Sequence, residues 1–459
     1  MGGHGTARPG PRALAIVAAL SAVAAAATAT GAPPDSGPIG TQPFTNHRNP
    51  PTYRKLSDAE FLSYDLGMAV FNTQFVVAGT PGAGRRDGVG PLFNASSCDA
   101  CHNNGAHGRG PTEDGPAPAP LVVQLATPSS KDLIDPEGDP VYGRVFNTAA
   151  LAGVEPEGVV MIRYEETAGH YPDGASWSLR VPHYSFAKLH YGPLTPDTIV
   201  KPRLAPALFG AGLLDVARID GEGSLPGDDG KPSATDGARR AATVPRAHGR
   251  FGWAASALSV RDQTARAFAR EMGLTSADIA HDDCTPAQTA CLQQPDGGSP
   301  EVSDELFDAV LSFQRWLAVP ASPTPHVQPD RDGKIFAHLG CVACHQPRLT
   351  VSLTDADGKT FPAVIEPYTD LRTHDMGTRL ADESVAGQKV RSRWRTAPLW
   401  GLGYRMSYER FPTFLHDGRA RSVEEAILWH DGESAGARHR FERLPAAHRK
   451  ALLHWLETL

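Results

Sequence analysis

"NASSCDACHNNG", residues 94–105, and "LGCVACHQP", residues 339–347, each contain Cys-x-x-Cys followed at once by His. Order and spacing are both constrained if the two thiols add across the vinyl groups of a haem and the adjacent imidazole coordinates its iron. A redox dithiol or a zinc site needs two cysteines but no His after the second. Two such motifs in a chain with only 6 cysteines therefore favour two covalently bound haem c groups. One is attached through Cys98, Cys101 and His102. The other is attached through Cys341, Cys344 and His345.

The remaining pair, Cys284 and Cys291 in "DDCTPAQTAC", has no neighbouring His. In an oxidising compartment a local disulfide is the default for such a pair. The N-terminus points to that compartment. Arg8 and Arg12 precede an apolar run from Ala13 to Ala27, and small residues follow. This is a secretory signal pattern over 1–29, too short for a membrane span. The expected location is the periplasm, without a transmembrane anchor. Net charge is −7, so no basic surface suggests nucleic acid.

Residues 30–55 read as an extended lead-in. "LSDAEFLSYDLGMAVFN", residues 56–72, is a helix, with Ser57 as N-cap and Glu60 three positions on. A β-rich insertion occupies about 120–220. Within it, residues 159–192 alternate apolar and polar around Pro172-Asp173-Gly174, the mark of β-hairpins. Residues 219–237 form a Gly/Asp loop whose spacing matches no calcium loop, so calcium has no motif behind it. "EVSDELFDAVLSFQRWLAVP", 301–320, is an amphipathic helix ended by Pro320, and "ASPTPHVQPDRD", 321–332, is a linker. A last helix places Leu452, Leu453, Trp455 and Leu456 on one face. The predicted fold is mainly α: two cytochrome c-like haem domains, 56–320 and 329–459, with the insertion in the first.

"RSVEEAILWHDGE", 421–433, offers the second iron a further ligand. Ser422 and Glu425 form a capping box, and Val423, Ile427 and His430 share one face. Met376, Met406, His374 and His416 remain as alternatives on spacing alone.

"PLFNASSCDACHNNG", "GRFGWAASALSVRDQTARAFAREMG", "LGCVACH", "RTAPLWGLG" and "FLHDGRARSVEEAILWHDGE" together resemble the di-haem oxidoreductase family. That family is related to the bacterial di-haem cytochrome c peroxidases and to MauG. The resemblance implies that His345 and His430 both ligate the second haem. It makes Trp253 an inter-haem relay, and puts Gln263 and Glu271 over the first iron. Gln263 follows Trp253 by ten residues, as in the family, but Glu271 follows Gln263 by eight, two fewer. A proline usual between them is Ala267 here. On one helix Gln263 and Glu271 are roughly 12 Å apart, so both reach one haem only if the helix crosses it or bends.

Family members that need activation carry a His in the loop after the first motif. Here that loop offers His107, five residues beyond His102 and too close to cross the haem. His170, His183 and His190 are more distant candidates. The resemblance implies a periplasmic peroxidase-like enzyme. A small redox protein, a c-type cytochrome or a cupredoxin, feeds the second haem. The open first haem reduces hydrogen peroxide or forms a high-valent oxidant. The alternatives are an electron-transfer cytochrome without catalysis and a di-haem oxygenase acting on a larger organic substrate. The insertion could wall a substrate pocket, cover the haem or dock a partner.

Overall fold

The helices that position the site are α1 (Asp58–Asn72), α2 (Val260–Glu271), α3 (Asp304–Trp316), α4 (Pro329–His338), α5 (Val423–Trp429) and α6 (Ala446–Leu456). The strands are β1 (Leu121–Ala126), β2 (Val145–Phe146), β3 (Val159–His170), β4 (Ser176–Ala187), β5 (Ile199–Leu204), β6 (Asp382–Ser384) and β7 (Lys389–Arg391). The structure, a computed structural model, describes Gly2 and residues 39–46, 49–130, 135–218, 249–322, 329–355 and 358–459. The signal segment, the lead-in before residue 39, the Gly/Asp loop at 219–237 and linker residues 323–328 lie outside the described residues. No helix among the described residues is long and apolar enough to cross a membrane.

Ser57 starts α1 with a reciprocal cap. Its Oγ accepts from the Glu60 N–H at 3.4 Å, and the Glu60 carboxylate accepts from the Ser57 N–H at 2.8 Å. α1 then packs along α3, where the Phe313 ring lies tilted against those of Tyr64 and Phe71, centroids 5.4 and 4.9 Å away. The two backbones meet at Gly67, where a Cβ would collide with the Ala309 carbonyl. α2 joins the same core through Phe268, whose ring lies 5.7 Å from that of Phe307. This core sits beneath the first Cys-x-x-Cys-His.

The sequence predicts a mainly α fold, and the structure contradicts it. Helices hold 27% and strands 22%. The predicted hairpin is present as β3 and β4, paired over twelve residues each side of the Pro-Asp-Gly turn. The strand content that the prediction lacks is in the second half. Leu349–Thr354 pairs with Thr360–Ile365, and Thr373–Asp375 pairs with Arg393–Arg395. The first of these carried a readable signal, since Leu349, Val351 and Leu353 alternate and are buried. The others are three residues long and pair with segments remote in sequence, so no period-two pattern has room to develop.

The largest sheet runs β7-β6-β5-β1-β2, all antiparallel, and joins strands of both halves of the chain. Val122 opposes Arg203 and Gln124 opposes Lys201, so these four share one face, which lines a cavity beside the first motif. Val123, Val200 and Phe146 pack in a core with Tyr142. The β3–β4 hairpin reaches the other way, placing Tyr171 and Leu179 in one cluster with Phe336, Trp429, Phe441 and Trp455. Buried Arg180 clamps it there by donating to the carbonyls of Pro111, Thr112, Gly418 and Arg419 at 2.8–3.1 Å. In that cluster α6 covers α4, with the Trp455 ring 5.1 Å from Phe336.

Candidate functional site

The first motif closes a single tight turn. The N–H groups of Cys101 and His102 both donate to the Cys98 carbonyl, at 3.2 and 2.9 Å. The Asp99 carboxylate accepts from the Asn104 N–H at 2.8 Å, which holds Asn104 in its left-handed conformation at φ 52°. Cys98, Cys101 and His102 all line a cavity of about 250 Å³. His102 Nδ1 donates to the Pro206 carbonyl at 2.8 Å. That bond fixes the tautomer and leaves the Nε2 lone pair free. Burial lowers the imidazole to about 4, so it is neutral, as a metal ligand must be.

Both thiols are unbridged, and burial pushes each up to about 12. Protonated, buried thiols are poor zinc ligands and poor nucleophiles. Among the described residues no group of three His, Cys, Asp or Glu is placed to hold a bare metal ion. Cys284 and Cys291 lie at disulfide distance, Sγ–Sγ 1.99 Å.

α2 forms another wall of this cavity. Gln263, Ala267 and Glu271 all line it, so the helix runs along the cavity and both of its ends contribute. Glu271 is lifted to about 7, chiefly by burial. Asn94 Nδ2 donates to its Oε2 at 3.3 Å, and Asn94 Oδ1 is itself held by the Thr148 N–H and hydroxyl at 3.0 and 3.1 Å. Asn94 stands at the head of the first motif segment, yet sequence reasoning missed it. Its side chain acquires a role only when the chain 177 residues later folds back to it. His170, His183 and His190 are exposed, and none lines the cavity.

The second motif follows α4 through Gly340, at φ 81°. Cys341, Cys344 and His345 line a second cavity of about 470 Å³. His345 Nδ1 donates to the Tyr368 carbonyl at 3.0 Å, and His430 Nδ1 donates to the Ala426 carbonyl at 2.7 Å. Both imidazoles are lowered by burial, His345 to about 4. Their ring centroids are 6.5 Å apart. A metal–nitrogen bond of about 2 Å and about 1.2 Å from nitrogen to ring centre, taken on both sides, gives about 6.4 Å. The separation of the two rings is therefore compatible with a single metal ion between them.

The alternatives to His430 are otherwise engaged. His374 has both ring nitrogens bonded, to Asp370 at 2.8 Å and to Glu433 at 3.0 Å. His416 lies flat on Trp394, centroids 3.8 Å apart, with Asp417 beside its Nε2. Met376 lines the cavity, and its Sδ accepts from the Ser434 hydroxyl at 3.6 Å. Met406 packs in the core without lining the cavity.

The two cavities share a wall that includes His107, Phe209, Trp253, Arg395 and Trp400. Trp253 is held rigidly there. Its Nε1 donates to the Leu204 carbonyl at 2.7 Å, and its own carbonyl accepts from the Arg395 N–H at 2.8 Å. No part of this adjacency follows from local sequence, because the wall is assembled from distant segments.

Each Cys-x-x-Cys-His turn thus lines its own cavity, with a buried imidazole lowered by desolvation, and an aromatic wall separates the two. The chain is a member of the di-haem oxidoreductase family over residues 231–459, which match the family described as "Di-haem oxidoreductase, putative peroxidase". The first Cys-x-x-Cys-His precedes the matched span. Among solved structures, hydrazine synthase of Kuenenia stuttgartiensis, pressurized with xenon, aligns at 13% identity. The alignment covers 98% of this chain and 100% of that one, with a TM-score of 0.37. No curated protein matches the chain.

Proposed function

We propose that this protein is an exported, peroxidase-like oxidoreductase with two covalently attached haem c groups. It takes in electrons at the second site and reduces hydrogen peroxide at the first. One asymmetry carries the reading. His345 faces a second imidazole, that of His430, at 6.5 Å. Among the described residues His102 has no such ring partner, and the carboxyl of Glu271 lines its cavity instead.

Cys98 with Cys101, and Cys341 with Cys344, would bind the two groups covalently. His102 would hold the first iron, and His345 with His430 the second. Haem iron supplies one-electron chemistry and, at an open position, a place for peroxide. The chain's own residues handle protons, orientation and electron entry. Glu271 takes a proton from hydrogen peroxide and returns it to the departing oxygen. A carboxyl lifted to about 7 can do both near neutral pH. Asn94 holds that carboxyl, and the Gln263 amide orients the peroxide. Trp253, fixed in the shared wall, passes electrons between the sites. Two electrons and two protons convert one peroxide to two waters. The electrons come from a small redox protein, a c-type cytochrome or a cupredoxin, in the periplasm to which residues 1–29 would direct the chain.

Electron paramagnetic resonance of the purified ferric protein tests this. One low-spin centre and one high-spin centre that responds to peroxide are expected. Two low-spin centres that ignore peroxide would overturn the proposal and leave a di-haem electron carrier.

A further inference from the structure

The shared wall contains a cation that the protein leaves partly unanswered. Arg395 lines both cavities. Its Nε donates to the Gly252 carbonyl at 3.0 Å and an Nη donates to the Thr396 carbonyl at 3.3 Å. Among the described residues no carboxylate pairs with it. A guanidinium has five N–H donors, so three remain. Other arginines of the first cavity are matched by acids: Arg203 by Asp382 at 2.7 Å, Arg270 by Asp135 at 2.7 Å and Arg144 by Asp283 at 3.0 Å. A cation withdrawn from water without a counter-ion is costly, and the fold holds this one in place from behind through Gly252, Trp253 and Thr396. A second group on the same wall is also unanswered. His107 Nδ1 is buried with no hydrogen-bond partner among the described residues.

We infer that Arg395 is an anion anchor common to both sites, its free donors taking a propionate carboxylate of one haem or of each. This rests on the two-haem reading above. Arg395 is a positioning residue, and its charge acts on both irons. A fixed positive charge favours the electron-rich state of a nearby redox centre. Because the wall is shared, one side chain biases the two potentials in the same direction and leaves the driving force between the two sites nearly unchanged.

Spectroelectrochemical titration of the full-length di-haem protein tests this, with Arg395→Gln and Arg395→Lys beside the parent. The Gln variant should lower both midpoint potentials. The expected change is on the order of tenfold in the reduced-to-oxidised ratio at each site, about 59 mV for one electron. The Lys variant, which keeps the charge, should recover most of the shift at both sites. Lys201→Gln alters an amine that lines the first cavity alone; burial lowers it to about 7, so in titrations run below that pH it should move only the first potential. A Gln variant with unchanged potentials, or with one shifted and the other not, overturns the inference. Should the Gln variant fail to mature, a Lys variant in which the reduced-to-oxidised ratio falls about tenfold or more at both sites overturns it instead, because the charge is retained there. Haem content of the parent protein is measured separately, and fewer than two haems per chain refutes the two-haem reading rather than the role of Arg395.

Discussion

The imidazoles of His345 and His430 face each other with ring centroids 6.5 Å apart, each anchored through Nδ1 to a backbone carbonyl. One ring comes from the turn after α4 and the other from the C-terminal end of α5. The anchoring bonds occupy both Nδ1 atoms and leave both Nε2 atoms unbonded. On the function proposed above, an iron held between these two imidazoles would have no vacancy, which would suit the second site to electron transfer rather than to binding a small molecule.

Replacing His430 by Ala should convert the low-spin signal of one haem and leave the other unchanged. Replacing it by Met should raise the midpoint potential of that haem, because thioether favours ferrous iron more than imidazole does. Optical and paramagnetic spectra at both oxidation levels provide the measurement. An unchanged spectrum in the Ala variant would falsify the assignment.

Glu271→Gln should cost about 10²–10⁴-fold in peroxide turnover while both haem spectra persist. In the parent, turnover should rise with pH through about 7, as the carboxyl lifted by burial becomes the base, and the Gln variant should lose that limb. The stability sign follows from the same shift. The folded state holds this proton more tightly than the unfolded chain, whose ordinary value is 4.5. Its stabilising contribution is present below 4.5 and is lost as pH rises through about 7. Denaturant titrations across that window should show a smaller loss for the Gln variant.

Trp253→Ala should slow electron transfer between the sites and leave both haem spectra and the Glu271 pH limb in place. Stopped-flow reduction by a small donor, followed by peroxide, resolves the two steps. Parent-like rates in both would show that electrons cross by another route.

Gly67→Val places a branched side chain where α1 meets the Ala309 carbonyl. Overpacking of this kind costs about 1–3 kcal/mol. Calorimetry should show a lower Tm, and the second haem spectrum should be unaffected, because α1 packs away from that site.

The α1 cap, the β3–β4 hairpin and the start of α5 at Ser422 were legible in the chain, because each rests on bonds or alternation among near neighbours; α5 ends at Trp429, one residue short of the expected face, so that His430 caps it in extended backbone rather than lying on it. Ser57 with Glu60 and Pro172-Asp173-Gly174 act through bonds that span three or four positions. The mainly α expectation failed where that locality ends. β6 and β7 are three residues long, and β6 pairs with β5, which lies far earlier in the chain. Gln263 and Glu271 could be put on one helix face from spacing, but whether both ends of the helix reach one cavity depended on how α2 lies across it.

Sequence alone determined what chemistry is available: two Cys-x-x-Cys-His turns, an imidazole just past a short helix, and a helix presenting an amide and a carboxyl. Only tertiary structure decided how these are shared out. It set His430 against His345, gave Glu271 to the first cavity with Asn94 to hold it, and put Trp253, His107 and Arg395 in one wall between two chambers. The physical reason is that covalent spacing and helical periodicity are properties of neighbours. The depth of a carboxyl, the isolation of a guanidinium and the separation of two rings are set by segments that meet only when the chain is folded.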